Sequence, residues 1–352
     1  MKILFGVFDW GLGHATRDTP VIRALLAAGH RVDLLATGRA ITVLRDRFGE
    51  HCRLFNVPSL RSPYTETRFF VLSFSLTVPL MLRSLIRARR QTQRIIRRER
   101  YDLVISDCRY DVYDEPANSV FINHQLRFHS FPGGEQIMER WLAAQMNHYR
   151  VVAVPDYATN SLSGRLSHDL RYFDSRKIRY VGILSHVRKL NLPRDIDTFI
   201  SISGPEPQRT KFEEIVMAQA DRLPGKVVIA AGNPDRRGHE SRGRIDYYGY
   251  LDGPRQEEMT NRAKSMISRS GYTTIMEQAE VGVPLSLTIP TPGQTEQEYL
   301  SRYYQAQGNA PFVSQYDLDL VRDLPKAQAY RGFTAPWKTE QSVKNFLELC
   351  GV

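Results

Sequence analysis

The sequence predicts an α/β protein built from two doubly wound domains. Three observations carry this. Short apolar runs alternate with helical patterns along most of the 352 residues, the signature of parallel strands covered by helices on both faces. The alternation restarts after a polar, proline-containing connection at 187–194. Glycine and hydroxyl residues cluster where strands give way to helices, the edge at which open parallel sheets bind ligands.

In the first half, ILFGVF (3–8) reads as a buried strand, and ATRDTPVIRALLAAG as a helix closed by Gly29. RVDLLA, CRLFNV, DLVISD (102–107), SVFIN and RVVAVPD follow as strands two to six. In the second half, DTFISIS (197–203), KVVIAAG, RIDYYGYL, KSMISRS and PLSLTIP recur at α/β spacing. The expected division is 1–190, 191–335, and a last helical pattern within 336–352 that folds back on the first domain. Asp9 to His14, Asp107, Gly204, Gly249 to Asp252 and Gly271 to Thr274 then border one cleft.

The chain carries a net charge of +10. Residues 1–195 hold 30 Lys or Arg against 18 Asp or Glu, and the remainder 18 against 20, so the basic excess belongs to the first half. It peaks between Arg83 and Arg100, with eight arginines and one glutamate, directly after the apolar run FFVLSFSLTVPLML (69–82). That run is shorter than the ~20 residues a bilayer span needs, and Pro79 interrupts it. Two readings stay open: a helix lying on an anionic membrane surface, or a helix with a solvated basic face. The N-terminal stretch, with Asp9 in a short apolar run, does not read as a signal peptide. Three widely spaced cysteines offer neither a disulfide framework nor zinc spacing. Cys108 reads as a buried structural residue before a catalytic thiol.

Three motifs carry the chemistry. FDWGLGHATR (8–17) places Gly11, Gly13 and His14 at a strand-to-helix turn. Arg17 stands where a dinucleotide fingerprint needs glycine, and no acidic residue closes the second strand, so nicotinamide and flavin cofactors are disfavoured. His14 suits a base that takes a proton from a hydroxyl, oriented by Asp9 or Asp107. Alone, it equally suits a helix-start histidine that contacts backbone. SISGPEPQR (201–209) offers Ser203 and Gly204 for close backbone approach and Arg209 as a phosphate partner; its plainer reading is an ordinary loop. SRSGYTTIMEQAEVGVPLSLTIPTPGQTEQEYL (268–300) places Ser270, Gly271, Tyr272, Thr273 and Thr274 at a helix N-terminus, where free amides and the helix dipole favour an anion. Glu277, two turns in, suits a ribose diol. Gln294, Glu296 and Gln297 suit sugar hydroxyls. Capping and solvated-helix roles account for each residue singly, but their joint placement favours a nucleotide-sugar site.

These blocks resemble the MurG-like glycosyltransferases of family 28, in order and spacing over essentially the whole chain. The resemblance implies a GT-B fold, two Rossmann-like domains facing each other across a cleft. It implies transfer from a nucleoside diphosphate sugar, most often a UDP-sugar, to a hydroxyl acceptor, with inversion and without metal or other cofactor. By position, Gly271 to Thr274 hold the diphosphate, Glu277 the ribose, the backbone at Tyr250 and Leu251 the base, and Gln294, Glu296 and Gln297 the sugar. His14 matches a histidine assigned as base or acceptor contact. The family's GGTGGH loop is here FDWGLGH, and TPGQTEQEY departs from the QQ pattern that reads N-acetylglucosamine. Neither the acceptor nor the sugar carries over.

The expected chemistry is direct displacement at the anomeric carbon, with His14 or Asp107 as base and the leaving diphosphate met by helix amides, hydroxyls and Arg209. Partners are the donor, a hydroxyl acceptor that includes lipids, and a membrane surface through 69–100. The expected location is the cytoplasm, at the inner face of the membrane where lipid is bound. Rivals are an epimerase on the same fold, for which only His14, Asp107 and His124 offer extra acid–base groups, and a non-catalytic nucleotide-sugar-binding subunit. Nucleic-acid binding is disfavoured, since the basic segment lacks interleaved aromatics.

Overall fold

The structure, a computed structural model, describes residues 1–9, 11–59, 70–128, 134–233, 235–236 and 238–352, with side chains of the helix that starts at Phe70 described from Leu80 onward. Two sheets organise the chain. The first contains β1 (Lys2–Val7), β2 (Arg31–Ala36), β3 (Arg53–Asn56), β4 (Leu103–Asp107), β5 (Ser119–Ile122), β6 (Val151–Val154) and β7 (Ile178–Tyr180). Its order is β3-β2-β1-β4-β5-β6-β7, all parallel. The second contains β8 (Ile196–Ser201), β9 (Val227–Ala230), β10 (His239–Arg242), β11 (Ile245–Tyr248), β12 (Ala263–Ser268) and β13 (Leu285–Thr288). Its order is β10-β11-β9-β8-β12-β13, parallel except for β10 against β11.

Helices cover both sheets: α1 (Gly13–Arg17), α2 (Thr19–Ala27), α3 (Gly38–Phe48), α4 (Phe70–Glu99), α5 (Gly134–Gln145), α6 (Gln208–Met217), α7 (Gly253–Arg262), α8 (Tyr272–Val281), α9 (Thr295–Ala306), α10 (Leu320–Asp323) and α11 (Thr339–Cys350). In each sheet the strand order reverses beside the first strand, which opens a crevice at the carboxyl ends of β1 and β4 and of β8 and β12. β1, β2 and β4 are buried along almost their whole length, as doubly covered strands must be.

Two strands lie outside the sequence reading. β7 is three residues long, too short to show a period. β10, HESR, is exposed at all four positions; a polar antiparallel edge strand carries no apolar signal. The connection at 187–194 is no free tether. Val187 is buried in the second domain's core, Arg188 pairs with Glu257, and Leu190 N–H donates to Asn261 Oδ1 at 2.7 Å.

An apolar cluster joins the halves: Tyr157, Leu162 and Ile183 with Tyr272, Ile275, Leu300, Tyr304 and Phe333. Each such side chain contributes roughly 1.5–3 kcal/mol on burial, so the two crevices face each other across a packed hinge. α11 returns to the first sheet, where Val343, Phe346 and Cys350 join its core.

Candidate active site

The first wall is made by the β1–α1 turn and the end of β4. α1 and α2 follow each other almost without a break, the Asp18 N–H donating to the His14 carbonyl at 3.0 Å. His14, Arg17 and Asp18 therefore sit at i, i+3 and i+4, on one helical face. Asp107, the last residue of β4 and fully buried, is what that face meets. His14 Nδ1 lies 2.7 Å from Asp107 Oδ2, and Arg17 Nη2 donates to Asp107 Oδ1. An ionised carboxylate only accepts, so Nδ1 carries the imidazole proton and Nε2 keeps its lone pair. Among the described residues Nε2 has no hydrogen-bond partner. Burial lowers the His14 pKa, Asp107 opposes and Arg17 adds to the lowering, which keeps the imidazole neutral and fit to accept a proton.

Two expectations about carboxylates change here. Burial would raise Asp107, but Arg17 and then His14 outweigh it and hold the carboxyl well below its usual range. So buried and so acidic a group is poorly suited to take a proton itself; it fixes and supports His14. Asp9 does not orient His14: its carboxylate accepts from Ser59 and faces Gly38 at the start of α3. Cys108 donates to the Ile122 carbonyl at 3.6 Å, and burial raises its pKa well above the ordinary thiol value; it is a protonated structural group.

The two walls touch. Arg17 Nη1 donates to His124 Nδ1 at 2.9 Å, so His124 carries its proton on Nε2, which lies 3.0 Å from Glu296 Oε1 at the start of α9. The His124 ring stacks on Tyr272, 4.4 Å between centroids and 3° apart in plane. A Cβ at Gly13 would stand 2.7 Å from Thr273 Oγ1, so the first-domain turn lies directly against the first turn of α8.

On the second wall, Gly271 is the extended N-cap of α8, with no side-chain cap. The amides of Tyr272, Thr273 and Thr274 are therefore free of helical acceptors. Thr273 and Thr274 are half-buried. The other side chains of this block are committed elsewhere. Ser270 Oγ donates to the Gln297 carbonyl at 2.8 Å, and the Tyr272 hydroxyl to the Pro155 carbonyl at 2.8 Å. Gln297 accepts from Thr291 N–H at 2.9 Å and donates to Gln294 Oε1, so these two amides brace their own loop. Of the three expected sugar-reading residues, only Glu296 reaches across the cleft.

Arg209 is not a free phosphate partner. Its guanidinium donates to Glu206 at 2.6 Å and Glu213 at 2.7 Å, which neutralise it. The charge beside Ser203 and Gly204 belongs to Arg269. Arg269 is 1% exposed, and among the described residues it forms no ion pair. It donates to the carbonyls of Ser203, Pro290 and Gln208 and to Gln315 Oε1, and burial lowers its pKa to about 10. Gly204, at φ +116°, turns the backbone toward it.

Glu277 is 6% exposed and lies 3.2 Å from His186 Nδ1, an ion-pair distance without hydrogen-bond alignment. Tyr250, half-buried, and Glu277 both act on Arg47 of the first domain, and Leu251 is buried in the second core. Arg47 of α3 reaches this corner from the first domain, its Nη2 3.2 Å from where a Cβ at Gly253 would be.

Among the described residues, His14, Asp107 and Cys108 bring potential metal ligands within 4.8 Å of one another. Arg17 donates to both Asp107 and Cys108, so a guanidinium already holds the place of a cation there.

Sequence reasoning passed over Arg17, Asp18, Glu296 as the partner of His124, Arg269 and Arg47. The i, i+3, i+4 spacing within HATRD is a signal that pointed to the first two. The others become neighbours only through tertiary contact.

Known proteins share this architecture. Residues 1–110 match the model for glycosyl transferase family 1, and residues 210–346 the model for the glycosyltransferase family 28 C-terminal domain. Against curated protein sequences the chain has no significant match. Among solved structures it is similar to the spinosyn rhamnosyltransferase SpnG, with 15% identity over 100% of this chain and 92% of that one and a TM-score of 0.62. It is also similar to MurG of Acinetobacter baumannii, with 12% identity, 98% and 94% coverage and a TM-score of 0.56. A third is a UDP-N-acetylglucosamine 2-epimerase of Listeria monocytogenes, with 13% identity, 99% and 94% coverage and a TM-score of 0.60. These likenesses speak for the fold, GT-B, while the two family matches at either end of the chain speak for the chemistry: the protein is a glycosyltransferase, with a match to the family 28 C-terminal domain over residues 210–346.

Proposed function

We propose that the protein moves a sugar from a nucleoside diphosphate sugar, a UDP-sugar in the first instance, to a hydroxyl acceptor, with inversion and without a metal ion. The observation that carries this reading is the close approach of the turn that bears His14, held by Asp107, to the uncapped N-terminus of α8 across the cleft. A neutral imidazole on one wall faces an anion-binding helix end on the other. His14 Nε2 takes the acceptor's proton as its oxygen attacks the anomeric carbon. The C–O bond to the diphosphate breaks, and the departing charge is met by the α8 amides, Thr273, Thr274 and the positive field of Arg269. Glu277 takes the ribose diol, the backbone at Tyr250 and Leu251 the base, and Glu296 the donor sugar. Attack from the face opposite the leaving group inverts the anomeric centre. Metal independence rests on these fixed positive groups.

The acceptor is proposed to be presented at a membrane. Among the described residues no helix is long and apolar enough to cross one. α4 instead shows Arg83, Arg87, Arg90 and Arg94 along one surface, with Leu82 48% and Ile86 52% exposed beside them. Phe69 and the side chains of 70–79, the start of the apolar run, lie outside the described residues. Basic residues over exposed aliphatics suit an anionic lipid surface, which supports the reading of a protein at the inner face of the cytoplasmic membrane.

Calorimetry with a panel of nucleoside diphosphates, with and without magnesium, tests the donor site. Uridine-selective, magnesium-independent binding is expected. Glu277→Ala should weaken it by about ten- to a hundredfold, the scale of hydrogen bonds to a charged group. No nucleotide binding would remove the reading. Donor conversion without any acceptor would instead select an epimerase, to which the His124–Glu296 pair lends a second acid–base couple.

A further inference from the structure

Asp18 is 0% exposed, and among the described residues neither of its carboxylate oxygens has a hydrogen-bond donor in reach. It stands on the helical face whose other members, His14 and Arg17, both meet the buried Asp107 carboxylate. Two ionised carboxylates on one buried face, both closed off from water, have only lone pairs to offer each other. The arrangement is tenable when one of them is protonated. The groups that face the pair are Arg17 on the same helical face, His14 one turn earlier, Cys108 beside Asp107, and His124 beyond Arg17. Arg17 supplies one fixed positive charge, enough for one carboxylate. Asp107 takes it, together with the Nδ1–H of His14, so the proton resides on Asp18.

We propose that Asp18 is a neutral carboxylic acid that donates its O–H to Asp107, and that this buried acid pair sets the basicity of His14. Asp18 is thus a positioning residue that acts through Asp107. The proposal rests on the reading of His14 as the base. Burial, and then Asp107, push the Asp18 carboxyl well above its ordinary range, in keeping with the geometry. The consequence is electrostatic. With Asp18 neutral, His14 faces one net negative partner that Arg17 already balances, and the imidazole rests unprotonated. An ionised Asp18 would add a second negative charge and hold His14 protonated, unable to accept the acceptor's proton.

Three measurements on the full chain test this. Infrared difference spectra of wild type against Asp18→Asn should show the carbonyl stretch of a protonated carboxylic acid at neutral pH, lost in the variant; no such band overturns the proposal. NMR titration of His14 should give the same midpoint in wild type and Asp18→Asn, since the amide is neutral and still donates to Asp107. A midpoint about a unit lower in Asp18→Asn would mean that a negative charge was removed, and would overturn it. Asp18→Ala leaves Asp107 without that donor and should raise the midpoint, moving the acid limb of kcat/KM upward with it. An unmoved midpoint in Asp18→Ala would show Asp18 to be inert toward His14. The infrared and NMR readouts need no turnover, so they stand or fall separately from the glycosyl-transfer reading. Asp18→Asn also serves as the folded reference if Asp18→Ala fails to fold.

Discussion

The two walls of the cleft are built from different materials. The first-domain wall is a side-chain network, His14, Arg17, Asp18, Asp107 and His124, centred on the Asp107 carboxylate that His14 and Arg17 share. The second-domain wall offers mostly backbone: the uncapped start of α8 and the left-handed turn at Gly204. Its side chains, Ser270, Tyr272, Gln294, Gln297 and Arg209, are tied into local structure. In the proposed reaction the first wall does the proton chemistry, which needs tuned side chains, and the second grips the diphosphate, which needs donors that cannot lose their protons. Substitutions should therefore act on turnover at the first wall and on affinity or geometry at the second.

The sharpest way to break this contrast is His14→Ala. It removes the proton acceptor and should lower kcat by about a hundred- to ten-thousandfold, with nucleotide affinity unchanged by calorimetry. Retained turnover would move the base elsewhere. In the wild type, the lowered His14 pKa places the acid limb of kcat/KM below the ordinary histidine value of about 6.5. Activity is then present above the shifted pKa and lost as the pH falls through it.

Gly13→Ala probes the line where the walls touch. Gly13 is the first residue of α1, where the interior preference of alanine over glycine counts for little, so any change in thermal stability reports the new contact. The added Cβ would force Thr273 away, and a displacement of about 1 Å can cost on the order of a hundredfold in rate. Unchanged kcat would show that the contact has no part in aligning the walls. The smallest effect is expected far from both. Arg87→Gln should reduce partition onto anionic vesicles by about fivefold, or ~1 kcal/mol per basic residue, with nucleotide binding unaltered. Equal partition onto neutral vesicles would show that the basic face is only solvated.

Much of this molecule was legible beforehand. The strands that carry the site, β1, β4, β8, β12 and β13, are long or wholly apolar enough to announce themselves. A glycine at a strand-to-helix turn is visible in the sequence whatever packs around it, which is why the turns at Gly13 and Gly271 could be read there. Side-chain roles were harder to read. Arg209 is tied to Glu206 and Glu213, three residues before it and four after, a local spacing that reading it as a phosphate partner left unused. Arg269 drew no reading from the sequence, because only its burial against the carbonyls of Ser203, Pro290 and Gln208 sets it apart.

The sequence by itself determined the two-domain α/β architecture, the turns that border the cleft and the residue types available for catalysis, because periodicity and turn chemistry are local. Only the tertiary structure decided which carboxylate holds His14, which arginine keeps its charge beside the anion site, and that Asp18 is buried without a donor on the face that meets Asp107. Those outcomes depend on burial and on what stands close by across segments up to 93 residues apart, and no local pattern encodes that distance.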